Sequence, residues 1–460
     1  MLNRTGLLAL SLVLCATLLP AAPRQKLAAS PPMGWNSWDA YGLTIDESDF
    51  RANARVLAGL RQYGWEYAVI DEGWYMQDPF GKTLPERKYV WNANGLLIPA
   101  ADRFPSAAHG AGFKPLADWV HAQGLKFGIH IVRGIPRGVV KQNLPIAGTG
   151  FHAADAADVN DVCPWDAGNY GVRDNAAGQA YYDSMMKLYA DWGLDFIKVD
   201  CISDHPYRPT EIRQIAEAIR KTGRPIVLSL SPGPTQLVHA AEVAKYAQMW
   251  RISDDHWDGW TFPHQGKSEF PFGIRDAFDR LAEWAPYAKP GSWPDEDMLP
   301  WGWLGPHPGL GQPRQSRETH DEQRTEFTLW AISRSPLILG ANLTRLDDFT
   351  RSLITNKEVL AINQTAVESR PGLAPAAKGV ASAFPVRFWY ARTGGSHPRQ
   401  YLAVFNLADA PASSNLPWMM FRLPNKAYAL YDIWNRRHIP SSSVLHVKLP
   451  AHGCALFRVE

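Results

Sequence analysis

Acidic side chains follow several short apolar runs of this sequence, at the positions where strands of a sheet would end. Asp71 and Glu72 follow the run Tyr67–Ile70, and Asp200 ends the run Phe196–Val199. In a closed barrel of parallel strands, the carboxyl ends of the strands surround one pocket. The other ionisable residues at such ends are His130, Lys198, Arg251, Asp254, Asp255, Asp258, Asp295, Glu296 and Asp297. The sequence therefore predicts a pocket rich in carboxylates.

Such a pocket suits two chemistries. One is metal binding by oxygen ligands. The other is hydrolysis of a glycosidic bond, in which one carboxylate attacks the sugar and one carboxylic acid donates a proton. His130, His152, His205 and His256 are scattered rather than clustered with acids at ligand spacing, and the cysteine spacings match no zinc pattern. We therefore favour glycoside hydrolysis and expect neither a metal nor another cofactor.

Strand-like and helix-like runs alternate from about residue 33 to about residue 363. This alternation is typical of an α/β fold with a parallel sheet, and eight such units close a (β/α)₈ TIM barrel. At the start of the first long helix, Thr44 and Glu47 predict a capping box. The expected strands are Met33–Trp35, Tyr67–Ile70, Lys126–Ile131, Phe196–Val199, Ile226–Leu230, Gln248–Arg251, Pro336–Leu339 and one near Gly291–Trp293.

After about residue 370 the helical period disappears, and short alternating runs such as Met419–Leu423 are separated by turn residues. This pattern predicts a C-terminal antiparallel β-sandwich of about 90 residues. Glu368–Lys378 is the expected linker. The predicted organisation is a signal peptide at residues 1–29, the catalytic barrel at 30–368 and the β-sandwich at 369–460.

The N-terminus has the character of an export signal. Arg4 precedes an apolar run from Leu7 to Leu19, and small residues follow before the next charges. The run is too short to span a bilayer comfortably and indicates a signal peptide cleaved between residues 21 and 29. We expect a secreted or periplasmic protein, in a compartment that permits disulfides.

The composition limits the classes of partner. Charged residues make up 20% of the chain and the formal net charge is +2, so nothing in the charge indicates a nucleic acid or, after signal cleavage, a membrane. Nineteen Trp and sixteen Tyr fit a carbohydrate partner, because aromatic faces stack on the apolar faces of sugar rings. We expect a monomer or a small homo-oligomer.

A series of motifs runs from Pro31 to the C-terminal region. The motifs are PPMGWNSWDAYG at 31–42, VIDEGW at 69–74, KFGIH at 126–130, FIKVDC at 196–201, WRISDDHWDGW at 250–260, PDEDML at 294–299, LWAISRSPLILGANL at 329–343 and EVLAINQ at 358–364. In order and spacing they resemble glycoside hydrolase family 27, the family of α-galactosidases and α-N-acetylgalactosaminidases. The resemblance covers nearly the whole mature chain and implies a retaining glycosidase.

The resemblance implies roles for individual residues. Asp200 matches the nucleophile, and the motif register selects Asp255 rather than Asp254 as the general acid/base. Arg251 matches a residue that contacts the sugar and the nucleophile. The remaining substrate-binding matches are Trp38 as the aromatic floor, Asp71 and Glu72 at the 4- and 6-hydroxyls, Lys198 at sugar hydroxyls, and Asp297 with Met298 beside the 2-position.

The sequence departs from the family pattern at several of these positions. Glu72 replaces an aspartate, and His130 stands where a tyrosine is common. The loop Ser229–Pro234 lacks the bulky residues of a typical α-galactosidase, so Ser231 is expected to line a pocket open at the 2-position. Cys201 is adjacent to the nucleophile rather than two residues later. The resemblance implies a disulfide between Cys163 and Cys201.

Three hypotheses follow. The first is a retaining exo-α-galactosidase that releases terminal α-linked galactose from oligo- or polysaccharides. The second keeps the mechanism and changes the sugar, as in an α-N-acetylgalactosaminidase, a β-L-arabinopyranosidase or an isomaltodextranase. The third is a catalytically inactive carbohydrate-binding protein, which any useful rate of hydrolysis excludes.

Overall fold

The computed structural model describes residues 27–79, 86–263, 270–305, 312–373 and 386–460. Residues 1–26, which hold most of the expected signal peptide, lie outside the described residues. Within these ranges, no helix combines the length and apolar character that crossing a bilayer requires. The signal peptide therefore stays a prediction.

Eight parallel strands form a curled sheet in the first part of the chain. Its spatial order is β7-β6-β5-β4-β3-β2-β1-β8. Leu299, just after β7, bridges to Leu339 in β8 and closes the ring. The strands are β1 (Met33–Asn36), β2 (Tyr67–Ile70), β3 (Lys126–Val132), β4 (Phe196–Asp200), β5 (Val227–Leu230), β6 (Met249–Arg251), β7 (Trp293–Asp295) and β8 (Leu337–Leu339). The predicted TIM barrel is confirmed, including the poorly marked seventh strand.

Amphipathic helices cover the outside of the strands. The helices are α1 (Trp38–Tyr41), α2 (Glu47–Leu60), α3 (Lys114–Ala122), α4 (Arg137–Gln142), α5 (Ala153–Ala156), α6 (Ala176–Trp192), α7 (Pro209–Thr222), α8 (Ala240–Tyr246), α9 (Ile274–Trp284), α10 (His320–Ser333), α11 (Asp348–Ile354) and α12 (Lys357–Thr365). The predicted capping box at α2 is wrong. Asp46 caps this helix by accepting a hydrogen bond from the Asp49 backbone N–H, while the Thr44 hydroxyl donates to the Tyr41 carbonyl.

The C-terminal part is antiparallel. A six-stranded sheet has the order β9-β10-β11-β16-β13-β14, and β12 pairs with β15. The strands are β9 (Ala366–Pro371), β10 (Val386–Thr393), β11 (Gln400–Asn406), β12 (Ala412–Pro417), β13 (Tyr428–Asp432), β14 (Arg437–Ser442), β15 (Val444–Leu449) and β16 (Cys454–Val459). The antiparallel domain agrees with the predicted sandwich. The expected strand Met419–Leu423 is wrong, because Trp418–Phe421 form a 3₁₀ helix. The expected domain boundary at residue 368 falls inside β9.

One face of the large sheet lies on the barrel helices. Phe405 of β11 contacts Phe278 of α9 edge to face, with ring centroids 5.0 Å apart. Trp434 donates from its indole nitrogen to the Thr328 hydroxyl of α10 at 3.0 Å. Along α10 most side chains are buried, because the barrel lies on one side and the sheet on the other. The sheet therefore covers a helix that would otherwise expose apolar surface.

We predict that Phe405→Ala lowers the free energy of unfolding by about 3–5 kcal/mol, since it removes a fully buried ring and leaves a cavity against Phe278. Chemical denaturation followed by tryptophan fluorescence measures the change. Met419→Ala, at an exposed apolar side chain of the same domain, is the matched control. Equal midpoints for both variants would contradict the covering role of the sheet.

Candidate active site

The strand ends bring the predicted residues together at one mouth of the barrel. Lys198 and Asp200 lie two positions apart in β4 and therefore point to the same side of the strand. Asp71 follows β2 directly, and Arg251 is the last residue of β6. The convergence expected from the strand ends is found, because parallel strands all end at the same face of a barrel.

Asp71 is held by several hydrogen bonds. Its Oδ2 accepts from the Asn36 amide at 2.7 Å and from Lys198 Nζ at 3.0 Å. Burial by itself would raise the pKa of Asp71, but the positive charges of His130 and Lys198 and these hydrogen bonds lower it well below its usual range. Asp71 is therefore ionised and Lys198 is charged, a fixed acceptor and donor for polar groups of a ligand.

Asp200 is also held in its ionised form. His130 Nε2 lies 3.3 Å from Asp200 Oδ2, and the Cys201 backbone N–H donates to Oδ1. Burial favours the neutral acid, yet the hydrogen bond and charge of His130, followed by the charge of Lys198, lower the pKa of Asp200. A partly exposed, ionised carboxylate at the barrel mouth can act as a nucleophile.

The pKa of Asp255 is raised, whereas that of Asp200 is lowered. Desolvation of the carboxyl group by the surrounding protein raises the pKa of Asp255 to about 6, and the negative charges of Asp297 and Asp200 add to the rise. Arg251 opposes it, with Nη2 3.3 Å from Asp255 Oδ1. The side chain keeps 41% of its surface accessible, so the proton can exchange with solvent. Two nearby carboxyls with pKa values moved apart are the arrangement of a nucleophile and a general acid.

Arg251 fixes the loop that carries Asp255. Its Nη2 donates to the Asp254 carbonyl at 2.6 Å, and Nη1 lies 2.9 Å from Asp297 Oδ1. The other oxygen of Asp297 accepts the His256 backbone N–H at 2.9 Å. Asp297 has a φ of +91°, a conformation that aspartate adopts at a cost and that directs its carboxylate toward this loop. Arg251 and Asp297 thus hold Asp255 from both sides.

Three further predicted residues lie at the base of the site. Met298 packs in the barrel interior with Phe196 and Ile338, and Trp38 lies against the same cluster, half-buried. Ser231 is buried directly after β5, where its backbone N–H donates to the Val199 carbonyl at 2.9 Å. Trp38 therefore has the buried support that a floor residue needs, while Met298 contributes mainly to the core.

Glu72 has a partner that the sequence did not indicate. Burial, followed by the charge of Asp166 close to its carboxyl group, raises the pKa of Glu72 well above its usual range. Arg87 stands 4.0 Å away, at the edge of an ion pair. Asp166 comes from a loop more than ninety positions later, so only the folded chain brings these two acids together. A protonated Glu72 can donate a hydrogen bond as well as accept one.

The loop of Asp166 is tied to the nucleophile. Cys163 and Cys201 form the expected disulfide, with their Cα atoms 6.0 Å apart. Cys201 follows Asp200 directly, so the bridge joins this loop to the end of β4. Among the described cysteines, Cys454 in the C-terminal sheet is free.

A cavity of about 890 Å³ opens beside the two candidate catalytic residues. Asp200 and Asp255 both line it, together with Asp254. The other lining residues are Val162, Pro164, Trp165, His205, Pro206, Arg208, Pro232 and Phe270. Both carboxyl groups are therefore within reach of a ligand that enters from solvent.

Among the described residues, one buried group has side chains of the kinds that bind metals. Ligand atoms of His256, Glu318 and Glu326 lie within 4.8 Å of one another. His256 Nε2 is 2.9 Å from Glu326 Oε1, and Trp301 donates to Glu326 Oε2 at 2.6 Å. Burial raises the pKa of Glu318 well above its usual range, and the negative charge of Glu326 adds to this rise. A neutral Glu318 can donate a hydrogen bond to Glu326, so we assign no metal.

Comparison with known proteins identifies the family. A family model described as alpha galactosidase A matches residues 163–365, and one described as alpha galactosidase C-terminal beta sandwich domain matches residues 385–459. The chain is similar to alpha-galactosidase A of Cellvibrio japonicus, with 30% identity over 99% of this chain and 98% of that one. It is also similar to the solved structure of a GH27 β-L-arabinopyranosidase from Geobacillus stearothermophilus, with 39% identity and a TM-score of 0.85 over 94% and 97% of the two chains. The chain belongs to glycoside hydrolase family 27.

Membership confirms the resemblance inferred from the motifs, and the protein is a glycoside hydrolase. Within family 27, a more distant relative is alpha-galactosidase 3 of Arabidopsis thaliana, 27% identical over 94% of this chain and 82% of the plant protein. The relatives of this family 27 chain thus carry names of more than one sugar specificity.

We predict that kcat/KM of this family 27 enzyme falls as the pH rises above about 6. As the expected general acid, Asp255 would have to be protonated in the free enzyme, and its protonated fraction decreases above its pKa of about 6. The acidic limb lies below the usual aspartate range, because the pKa of Asp200 is lowered. A pH–rate profile with an aryl glycoside measures both limbs.

Asp254→Asn is the matched control for this profile and should keep the alkaline limb. Asp255→Asn should lose the alkaline limb, together with most activity on substrates whose leaving group must be protonated. An alkaline limb that stays above pH 8 in the wild type would contradict the assignment of Asp255.

Proposed function

We propose that this protein is a retaining, exo-acting α-galactosidase with Asp200 as nucleophile and Asp255 as general acid/base. The observation that carries the proposal is the pair itself: two carboxyls on one cavity, one with a lowered pKa and one with a raised pKa. The similarity to α-galactosidases over the full chain supports the sugar.

In the first step, Asp200 attacks the anomeric carbon while Asp255 donates its proton to the leaving oxygen. The bond from carbon to the aglycone breaks as the bond to Asp200 forms. In the second step, Asp255, now ionised, removes a proton from water, and the water oxygen displaces Asp200. Two inversions at the same carbon give net retention.

The glycone is recognised by side chains on the barrel side of Asp200. The ionised Asp71 and the charged Lys198 accept from and donate to sugar hydroxyls, and Trp38 lies under the ring. Arg251 and Asp297 hold the acid in place and border the 2-position. The strands below are filled with apolar side chains, which supports a blind pocket and an exo mode of action.

A β-L-arabinopyranosidase is the second candidate, and Glu72 is the observation that favours it. The L-arabinopyranose ring presents hydroxyls like those of galactose but lacks the 6-hydroxymethyl group. Glu72 is longer than the aspartate usual in the family, and Asp166 interacts with its carboxyl group. We propose that the longer side chain occupies the space of the 6-hydroxymethyl group. The similar Geobacillus enzyme is named for this sugar. N-Acetylgalactosamine and isomaltose-type substrates are the remaining alternatives.

We propose that the enzyme acts outside the cytoplasm, secreted or in a periplasm. The Cys163–Cys201 disulfide supports an oxidising compartment. The proposed binding partner of the enzyme is a carbohydrate with a terminal sugar of galacto configuration. A state of monomer or small homo-oligomer stays a prediction.

We predict that Asp200→Asn lowers kcat by about 10³-fold or more, since it removes the nucleophile. Hydrolysis of p-nitrophenyl α-galactoside, α-N-acetylgalactosaminide and β-L-arabinopyranoside measures the loss and identifies the sugar. Asp254→Asn, one residue from the proposed acid, should retain most activity. The first sugar anomer released by the wild type, followed by NMR, should have the configuration of the substrate. An inverted product, or an active Asp200→Asn variant, would disprove the mechanism.

We predict that Glu72→Asp raises the ratio of kcat/KM for the α-galactoside to that for the β-L-arabinopyranoside. The shorter side chain leaves space for the 6-hydroxymethyl group, which only galactose has. Glu72→Gln, with the same length, is the control and should leave the ratio low. A ratio that stays constant in Glu72→Asp would show that this residue does not select at the 6-position.

A further inference from the structure

The 890 Å³ cavity contains the two catalytic carboxyls but none of the residues assigned to the glycone. Asp200 and Asp255 line it, whereas Trp38, Asp71 and Lys198 do not. The two carboxyls of a glycosidase flank the scissile bond, so the glycone and the leaving group lie on opposite sides of them. On the proposed function, on which this inference rests, the cavity therefore faces the leaving group.

The cavity presents an apolar surface to that leaving group. Trp165 and Phe270 are among the most exposed large apolar side chains of the described residues, at 48% and 38% accessible surface. Val162 and the rings of Pro164, Pro206 and Pro232 complete the apolar lining. Large apolar side chains exposed together in a cavity next to reacting groups indicate a binding surface.

Trp165 is exposed on a segment that is fixed on both sides. Two positions before it, Cys163 is bridged to Cys201. One position after it, Asp166 is buried, accepts the Gly168 backbone N–H at 2.8 Å and lies against Glu72. The exposure of Trp165 is therefore a property of an anchored segment, and its ring stays close to the nucleophile.

The charges around the cavity exclude an anionic ligand. Asp200 and Asp254 contribute negative charge to the lining. The cation of Arg208 is already paired with Asp161. Asp161 in turn is held by Arg133, with Nη2 2.8 Å from Asp161 Oδ1. No free cation remains among the described lining residues to attract a carboxylate or phosphate.

We propose that Trp165 and Phe270 form an aglycone subsite for a neutral sugar ring of an oligosaccharide. Stacking on Trp165 suits the apolar face of a pyranose, and the polar side chains of His205 and Arg208 suit its hydroxyls. A flat aryl group would use the apolar lining alone. The volume exceeds one small leaving group, since pockets of roughly 300–1,000 Å³ hold whole drug-sized ligands.

The test varies the aglycone while the glycone stays the same. Wild type, Trp165→Ala and Phe270→Ala are compared on raffinose, on p-nitrophenyl α-galactoside and on α-galactosyl fluoride. The fluoride reacts with the same Asp200, its carbon–fluorine bond breaks, and it leaves as one ion with no ring to stack. For Trp165→Ala we expect kcat/KM on raffinose to fall about tenfold, as for the loss of one aromatic stacking contact, with the fluoride unchanged within about twofold.

Two variants act as controls. Trp165→Phe keeps a ring and should recover most of the activity on raffinose, which separates stacking from a loss of loop structure. Val367→Ala, at an exposed apolar side chain of the C-terminal sheet, should change nothing.

Each outcome decides between explanations. Equal losses on raffinose and fluoride would mean that Trp165 acts on the glycone or the nucleophile, and unchanged activity on raffinose would remove the subsite. A loss of activity confined to the p-nitrophenyl glycoside would show that the surface binds aryl aglycones, and it would overturn the proposed subsite for a sugar ring. A wild type inactive on the galactosyl compounds but active on β-L-arabinopyranosyl fluoride would contradict the proposed galactosidase function, and the series would then be measured with that glycone.

Discussion

The buried pairing of a few cations with many carboxylates at the barrel mouth is the interaction on which the site depends. His130, Lys198 and Arg251 lie among the acids that follow β2, β4, β6 and β7. Asp71 is held ionised by His130 and Lys198. Asp39 has a pKa well above its usual value, because burial and the negative charge of Asp297 outweigh the attraction of Lys198. The positions of these cations, together with burial, thus decide which carboxyls carry protons.

The proposed catalytic pair follows from this distribution. Asp200 has His130 and Lys198 beside it and loses its proton easily. Asp255 contacts Arg251 but also faces the negative charges of Asp297 and Asp200, so desolvation and repulsion dominate. The same charges that bind a polar sugar therefore also prepare one carboxylate for attack and one carboxylic acid for donation. A change in one cation would alter binding and chemistry together.

Loops added to the barrel decide what surrounds this pair. The segment of Trp165 and Asp166 is joined to the nucleophile by the Cys163–Cys201 disulfide, and it contributes on two sides. Asp166 interacts with Glu72, while Trp165 lines the cavity beside Asp200. On the proposed function, one segment would thereby couple the choice of sugar to the choice of aglycone. The C-terminal sheet acts at a distance, since it covers α10 and keeps the barrel helices packed.

The sequence by itself determined the barrel, the family and the residues at the strand ends. These depend on short-range patterns: strand and helix periods, and motifs in which Asp200 or Arg251 stands at a fixed position relative to a strand. Tertiary structure decided the protonation of Asp255 and Glu72, because a pKa depends on burial and on charges far along the chain. It also decided the contact of Asp166 with Glu72 and the position of Trp165 at the cavity, since no local pattern brings a loop residue to a strand end. At the start of α2, the cap went to Asp46 rather than to the expected Thr44, because backbone geometry selects which oxygen meets the free N–H groups.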